Sequence, residues 1–154
     1  MVVIIINLTL TDLHNSEALT LQEKDINCII NNENYQIIDH AGTLQPNGVI
    51  ILNYVPITLE GRMKFEERFQ NRPKKIENED GFWAIRTLRP LSGNMYVILS
   101  QWDSINSFKN WQNSSAYSHA HKNRGTKEGI DQEKGVLGGK PSHRIYQVST
   151  IYKI

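Results

Sequence analysis

The chain has 154 residues, a length typical of one domain or of one domain with a short extension. It carries 17 Lys and Arg against 16 Asp and Glu, a formal net charge of +1, so no overall field draws it to nucleic acid or to an anionic membrane. Cys28 is the single cysteine, which excludes an intrachain disulfide and favours a reducing compartment. The apolar run at residues 2–6 is too short to span a membrane, so we expect a cytoplasmic protein.

The first third of the chain is predicted to be a β-rich extension. Three segments are strand-like, at residues 2–10, 26–31 and 35–39. They hold too few apolar side chains to bury a core of their own. Because Gly and Pro punctuate residues 41–48, we divide the chain into an extension, 1–45, that packs on the sheet of a domain at 46–154.

The second part of the chain alternates strands and helices in a recognisable order. The predicted elements are a strand at 48–55, a helix from Thr58 to Pro73, strands at 82–89 and 95–102, a helix from Asp103 or Ser104, and a strand at 143–153. This order predicts an α+β fold of the ferredoxin-like split βαβ type, with both helices on one face of an antiparallel sheet. The polar, Gly-rich residues 123–142 are expected to form a loop.

Apolar spacing predicts which side of each helix faces the sheet. The first helix is expected to bury one broad face, formed by Leu59, Met63, Phe65 and Phe69. The second carries Ile105, Phe108 and Trp111 at three-residue spacing. On this stripe alone, core packing is the better interpretation of Trp111.

Asn53 is a candidate functional residue because it interrupts an otherwise apolar strand. A buried amide must find hydrogen-bond partners or cost a few kcal/mol. Asn53 therefore either pairs inside the fold or faces a pocket whose ligand satisfies it. The sequence leaves these two interpretations open.

His121 is a candidate iron ligand. On a helix, His119 and His121 point to nearly opposite sides, so joint chelation of one metal is not expected. Tyr117 and His121 share one side at i, i+4, which favours His121 as the inward histidine. A single imidazole is a common axial ligand of haem iron. Residue type alone nevertheless favours a surface or capping histidine near a helix end.

The end of the first helix, from Glu66 to Arg72, is rich in charge. Its cations could meet the carboxylates of a ligand, although such a run is more often a solvated helix face. The sequence contains no nucleophile elbow, phosphate loop, dinucleotide fingerprint or zinc-protease motif.

Residues 48–122 resemble the Isd-type haem-degrading monooxygenases (IsdG- and HmoB-like), which belong to the antibiotic biosynthesis monooxygenase superfamily. Asn53, in ILNYVPIT, is similar to the asparagine of the family's first strand. Glu67-Arg68-Phe69-x-x-Arg72 resembles its first-helix motif. The segment VILSQWDSINSFKNWQNSSAYSHAHK aligns Trp111 and His121 with its catalytic tryptophan and its haem-ligating histidine.

The resemblance implies a site and a reaction. His121 would bind haem iron on the proximal side, Asn53 would hydrogen-bond in the distal pocket, and Trp111 would press on the porphyrin and distort it. Phe69 and Arg72 would be further haem contacts. Haem would be both substrate and cofactor, O2 and an external electron donor such as a reductase would be needed, and iron would be released.

Short members of the family are homodimers that pair their sheets, whereas here the extension could cover the sheet within one chain. A monomer is therefore expected, with a homodimer as the alternative. Two other functions stay open. One is a non-catalytic haem-binding or stress-signalling protein resembling the staphylococcal signal-transduction protein TRAP. The other is a cofactor-independent monooxygenase of an aromatic or quinone substrate.

Overall fold

In the computed structural model, which describes residues 4–71, 76–114 and 135–150, the strands form a closed antiparallel barrel. The strands are β1 (Ile5–Asp12), β2 (Ala18–Lys24), β3 (Asn27–Ile30), β4 (Glu33–Gly42), β5 (Val49–Pro56), β6 (Phe82–Pro90), β7 (Met95–Trp102) and β8 (Ser142–Thr150). The helices are α1 (Arg62–Gln70) and α2 (Ile105–Gln112), with a short 3-10 turn at Ile76–Asn78. Within these ranges no helix is long and apolar enough to cross a membrane.

The second part of the chain has the predicted ferredoxin-like fold. Its elements follow the order β5, α1, β6, β7, α2, β8, and its strands lie side by side in the order β6-β7-β5-β8. The side chains of Ile50 and Leu52 belong to the core inside the barrel. Those of Val49 and Ile51 pack outside it with Phe108 of α2. Side chains alternate along β5, so one face of the strand lines the barrel interior and the other packs against the helices.

Four strands precede this unit and complete the barrel. β1 pairs with β8, and β4 pairs with β6, so both edges of the ferredoxin-like sheet are joined to the N-terminal strands. The sequence predicted three strands here and missed β2. Leu21 is the one fully buried side chain of β2, and its other residues are polar or partly exposed. A strand with so little apolar alternation gives a weak local signal.

The predicted apolar face of α1 is wrong in part. Leu59 and Met63 are each 81% exposed, whereas Phe65 is buried and Phe69 is half-buried. The Oγ1 of Thr58 accepts a hydrogen bond from the backbone N–H of Gly61 at 2.9 Å. Because this turn precedes the helix, α1 starts at Arg62 and Leu59 lies before it. Phe65 and Phe69, four residues apart, then form the face that packs on the sheet.

Candidate active site

Asn53 lies in the middle of a row of four residues that crosses the helix-covered face of the sheet. It is directly opposite Ile98 of β7 on one side and His143 of β8 on the other. Ile98 in turn is opposite Thr87 of β6. Directly paired residues of neighbouring strands project on the same face of a sheet. Thr87, Ile98, Asn53 and His143, referred to below as the Asn53 row, therefore share the face on which the helices lie.

The side chain of Asn53 is half-buried. Among the residues that the structure describes, none forms a hydrogen bond with its amide. Within the described ranges, pairing inside the fold is therefore not observed, which leaves the second interpretation, a pocket whose ligand satisfies the amide. A partly exposed amide beside an apolar side chain such as Ile98 is suited to binding a polar atom of a ligand.

Thr87, at one end of the Asn53 row, is a second unsatisfied polar residue. Its side chain is fully buried, and in the described part of the chain its Oγ1 has no hydrogen-bond partner. Threonine is common in strands for its β-branched shape, and nothing in the local sequence marks this hydroxyl as unpaired.

Trp111 of α2 packs on the same face of the sheet, near Asn53. Its indole ring lies 5.5 Å from that of Trp102 and 6.1 Å from the ring of Phe108, measured between centroids. The cluster that these rings form includes Ile51, which precedes Asn53 by two residues and faces the same way. Ser104 fixes the start of α2, as predicted, because its Oγ accepts a hydrogen bond from the N–H of Ser107 at 3.2 Å.

Phe69 of α1 approaches the Asn53 row from the other helix. It lies 4.9 Å from the ring of Phe65 and packs in the cluster that contains Ile98, the strand partner of Asn53. Each helix therefore contributes one half-buried aromatic side chain to the neighbourhood of Asn53. Of the five predicted site residues, Asn53 lies on this face of the sheet, and Phe69 and Trp111 pack on the same face in two separate apolar clusters.

The position of α1 is fixed by a polar network around Glu66. Its carboxylate accepts a hydrogen bond from the Nε of Arg89 at 2.9 Å and further bonds from Arg89 Nη2 and the hydroxyl of Tyr96. The hydrogen bonds from Arg89 hold the pKa of Glu66 below its ordinary value, against the opposing effect of burial. Burial, followed by the bond to Glu66, raises the pKa of Tyr96 to about 12. Tyr96 is thus a neutral donor, and Glu66 a charged acceptor, at neutral pH.

Two predicted site residues, His121 and Arg72, lie outside the described residues, as do His119 and Tyr117. Sequence reasoning missed two members of the Asn53 row, Thr87 and His143. Alternation along a strand can assign each of them to one face of the sheet. Their positions opposite Ile98 and Asn53 depend on the register between strands, which no local sequence pattern fixes.

Comparison of the chain with protein families and with curated proteins indicates its family. The model of the antibiotic biosynthesis monooxygenase family matches residues 48–123. A curated protein of Halalkalibacterium halodurans, described as a "heme-degrading monooxygenase", is 33% identical over 89 residues, which are 56% of this chain and 76% of that protein.

Comparison with solved structures supports the fold. A structure described as a major regulator of staphylococcal pathogenesis superposes with a TM-score of 0.71 at 16% identity, covering 97% of this chain and 85% of that one. LmHde, a heme-degrading enzyme from Listeria monocytogenes, superposes with a TM-score of 0.59 at 18% identity, covering 90% and 83%. At these identities the likeness concerns the fold alone.

Proposed function

Because the chain belongs to the antibiotic biosynthesis monooxygenase family, in the branch that contains the haem-degrading monooxygenases, we propose that it degrades haem. In the proposed reaction the porphyrin is opened oxidatively with O2 and electrons from an external donor, and iron is released. The observation that carries the proposal is the half-buried amide of Asn53 on the helix-covered face of the barrel, which has no hydrogen-bond partner in the described part of the chain.

The residues around Asn53 suit a large flat ligand. Apolar contact would come from Ile98 and Ile51 on the strands, and aromatic contact from Phe69 and Trp111 on the two helices. Ligand sites of this kind combine an apolar lining with a few polar groups that fix orientation. In this lining the Asn53 amide is a polar group that would donate a hydrogen bond to O2 in the pocket.

In the proposed site Trp111 supplies aromatic contact, Asn53 supplies a polar group and His121 supplies the iron ligand. Trp111 would contact the porphyrin, supported from behind by the buried ring of Trp102. Phe69 would give further contact, and Arg72 would pair with a haem carboxylate. His121 would hold the iron through its imidazole. Haem bound here supplies the redox-active iron and is itself the ring that is oxidised.

The electrons come from a separate reductase, since this chain carries no dinucleotide-binding motif of its own. We place the reaction in the cytoplasm, in keeping with Cys28, which is buried as a free thiol inside the barrel. Burial raises the pKa of this thiol to about 12, so it remains protonated and unreactive at neutral pH.

The test of the proposed function is a haem titration followed by reduction in air. The purified protein is expected to develop a Soret band that saturates at one haem per chain, and the band is expected to bleach when a reductant is added aerobically. Asn53→Ala should bind haem with similar affinity but bleach it about 100-fold more slowly, the usual effect of removing one preorganised donor. Wild-type protein that binds haem without bleaching it would overturn the proposal in favour of a haem-binding module.

The axial ligand is tested with a matched pair of histidine variants. His121→Ala should lose the histidine-ligated Soret spectrum, whereas His119→Ala should retain it. The reverse result would assign the iron to His119. If neither variant nor the wild type produced a Soret band, a cofactor-independent monooxygenase would be the remaining function of the family, to be assayed by O2 uptake with a hydroquinone.

A further inference from the structure

Asn47 and Gly48 lie in the bend that leads into β5. Asn47 is exposed, and Gly48 is partly buried with a φ of +74°. The carbonyl of Asn47 accepts a hydrogen bond from the Nε2 of Gln101 at 2.9 Å. The carbonyl of Gly48 accepts from the backbone N–H of Val148 and from the Nε2 of Gln147, each at 2.9 Å. The backbone N–H of Gly48, in contrast, has no hydrogen-bond partner in the described part of the chain.

An asparagine followed by glycine can lose its side-chain amide without an enzyme, and asparagine is among the thermolabile residues. The backbone nitrogen of the following residue attacks the side-chain carbonyl carbon, a carbon–nitrogen bond forms, and ammonia leaves. Water then opens the cyclic imide at one carbonyl to give aspartate or at the other to give isoaspartate. The attack needs a nitrogen whose hydrogen is not held in a hydrogen bond, and glycine leaves the approach open because it has no Cβ.

Three other asparagines in the described ranges precede a small residue, which is serine in each case. They are Asn15, Asn106 and Asn113. In all three the serine N–H already donates a hydrogen bond of 3.0 or 3.2 Å, from Ser16 to the carbonyl of Asp12, from Ser107 to the Oγ of Ser104 and from Ser114 to the carbonyl of Trp111. The attacking nitrogen is therefore occupied after these three asparagines and unoccupied after Asn47.

Asp80 also precedes a glycine, Gly81, and could form the same imide by losing water. A carboxylate resists attack by a nucleophile far more than an amide does, because its negative charge repels the nucleophile. Asp80 is therefore expected to react much more slowly than Asn47 at neutral and alkaline pH.

We propose that Asn47 is a site of spontaneous deamidation and that its isoaspartyl product weakens the junction of β5 with β7 and β8. In isoaspartate the main chain runs through the former side chain and is one carbon longer, and the carbonyl of Asn47 becomes a carboxylate outside it. The Nε2 of Gln101 divides its hydrogens between the carbonyls of Asn47 and Gln45. Because Gln101 is fully buried, it cannot turn to water when one acceptor moves, and an unpaired buried donor is destabilising.

The first test follows the modification in the intact, folded chain during incubation at mildly alkaline pH. Peptide mapping by mass spectrometry detects the conversion of amide to acid, and a protein isoaspartyl methyltransferase labels the isoaspartyl product. We expect both signals at Asn47 in the folded protein, at a rate comparable with that in guanidinium chloride. Asn15, Asn106 and Asn113 should convert only in guanidinium chloride, where their serine N–H groups are released.

Two outcomes of this first test would overturn the proposal. One is an Asn47 that stays intact in the folded protein while it converts in guanidinium chloride, because the folded bend would then protect it. The other is conversion of Asn15 in the folded protein as fast as that of Asn47, because the free N–H of Gly48 would then not be what selects the site.

The second test measures what the isoaspartyl product does to the barrel. Incubated protein is separated by ion exchange, and the isoaspartyl fraction is expected to unfold at a lower urea concentration than fresh protein. Asn47→Asp, which carries the charge without the longer main chain, should stay closer to the wild type. Asn47→Gln, whose longer side chain closes the ring poorly, should keep its urea midpoint during incubation. An isoaspartyl fraction with the midpoint of fresh protein, or an equal fall in Asn47→Gln, would overturn the assigned effect on the barrel.

Discussion

The indole ring of Trp111 rests on that of Trp102, with centroids 5.5 Å apart and planes inclined by 32°. Trp102 is fully buried at the end of β7, and its Nε1 donates a hydrogen bond to the Oγ of Ser100 at 3.1 Å. Trp111 therefore packs against the core, yet it remains half-buried. Because part of the ring is exposed, packing does not exclude contact with a ligand.

Substitution of Trp111 by Phe is expected to separate these two roles. Phe keeps an aromatic ring against Trp102, so the free energy of unfolding should fall by about 1 kcal/mol, measured by urea denaturation. Trp111→Ala should cost about 3 kcal/mol because it leaves a cavity. We expect Trp111→Phe to bind haem but to bleach it at least about tenfold more slowly, because the smaller ring no longer presses on the porphyrin. Degradation at the wild-type rate by Trp111→Phe would leave Trp111 a packing residue only.

The contact between Glu66 and Arg89 predicts a pH-dependent contribution to stability. The hydrogen bonds from Arg89 hold the pKa of Glu66 in the folded protein below its ordinary value of 4.5. The contribution is therefore complete above that value and is lost as the pH falls through the lowered pKa. Glu66→Gln should reduce the free energy of unfolding at pH 7 by about 2 kcal/mol. The difference from wild type should shrink as the pH is lowered below 4.5.

The matched control for Glu66 is Glu67→Gln, since Glu67 is the adjacent residue of α1 and is exposed. This variant should change the stability by less than about 0.5 kcal/mol at any pH, as surface substitutions usually do. Equal pH dependence of Glu66→Gln and the wild type would contradict the role assigned to the Glu66 carboxylate.

The buried guanidinium of Arg86 joins the N-terminal strands to the rest of the barrel. Its Nε lies 2.8 Å from the carboxylate of Glu23 on β2, and its terminal nitrogens donate to the carbonyl oxygens of Ala41 and Gly42, each at 2.9 Å. Arg86→Met would leave the Glu23 carboxylate half-buried without its partner. We expect a loss of about 3–5 kcal/mol, measured by urea denaturation. Lys24→Met, an exposed change on the same strand as Glu23, should leave the urea midpoint nearly unchanged.

The ferredoxin-like unit could be predicted from the sequence because its signals are local. The apolar run of β5 and the cap of α2, expected at Asp103 or Ser104, each act within a few residues. The Asn53 row could not be predicted, because it depends on how β5 is aligned with β7 and β8. The predicted start of α1 at Thr58 was also three residues too early. Thr58 accepts a hydrogen bond from the N–H of Gly61, as a helix cap would, but this bond closes a turn that precedes the helix.

Thr87 offers a test of an unpaired hydroxyl in the candidate site. Its Oγ1 is buried without a hydrogen-bond partner, and such a group costs about 1–3 kcal/mol. Thr87→Val replaces the hydroxyl by a methyl group of similar size. We expect it to raise the free energy of unfolding by about 1 kcal/mol, whereas Thr20→Val, at an exposed position on β2, should change it little. A decrease for Thr87→Val would mean that the hydroxyl is paired in solution.

The closed barrel predicts that the protein is a monomer. The inner face of the ferredoxin-like sheet, with Leu52 and Leu99, is covered inside the barrel by side chains of the N-terminal strands such as Leu10 and Leu21. Because each of the eight described strands is paired on both sides, none of them offers an open sheet edge to a second chain. Light scattering at two micromolar concentrations should give a mass near 17.7 kDa at both. A mass near twice that value would mean that the surface outside the barrel, which carries the helices and the exposed Leu59 and Met63, forms a dimer interface instead.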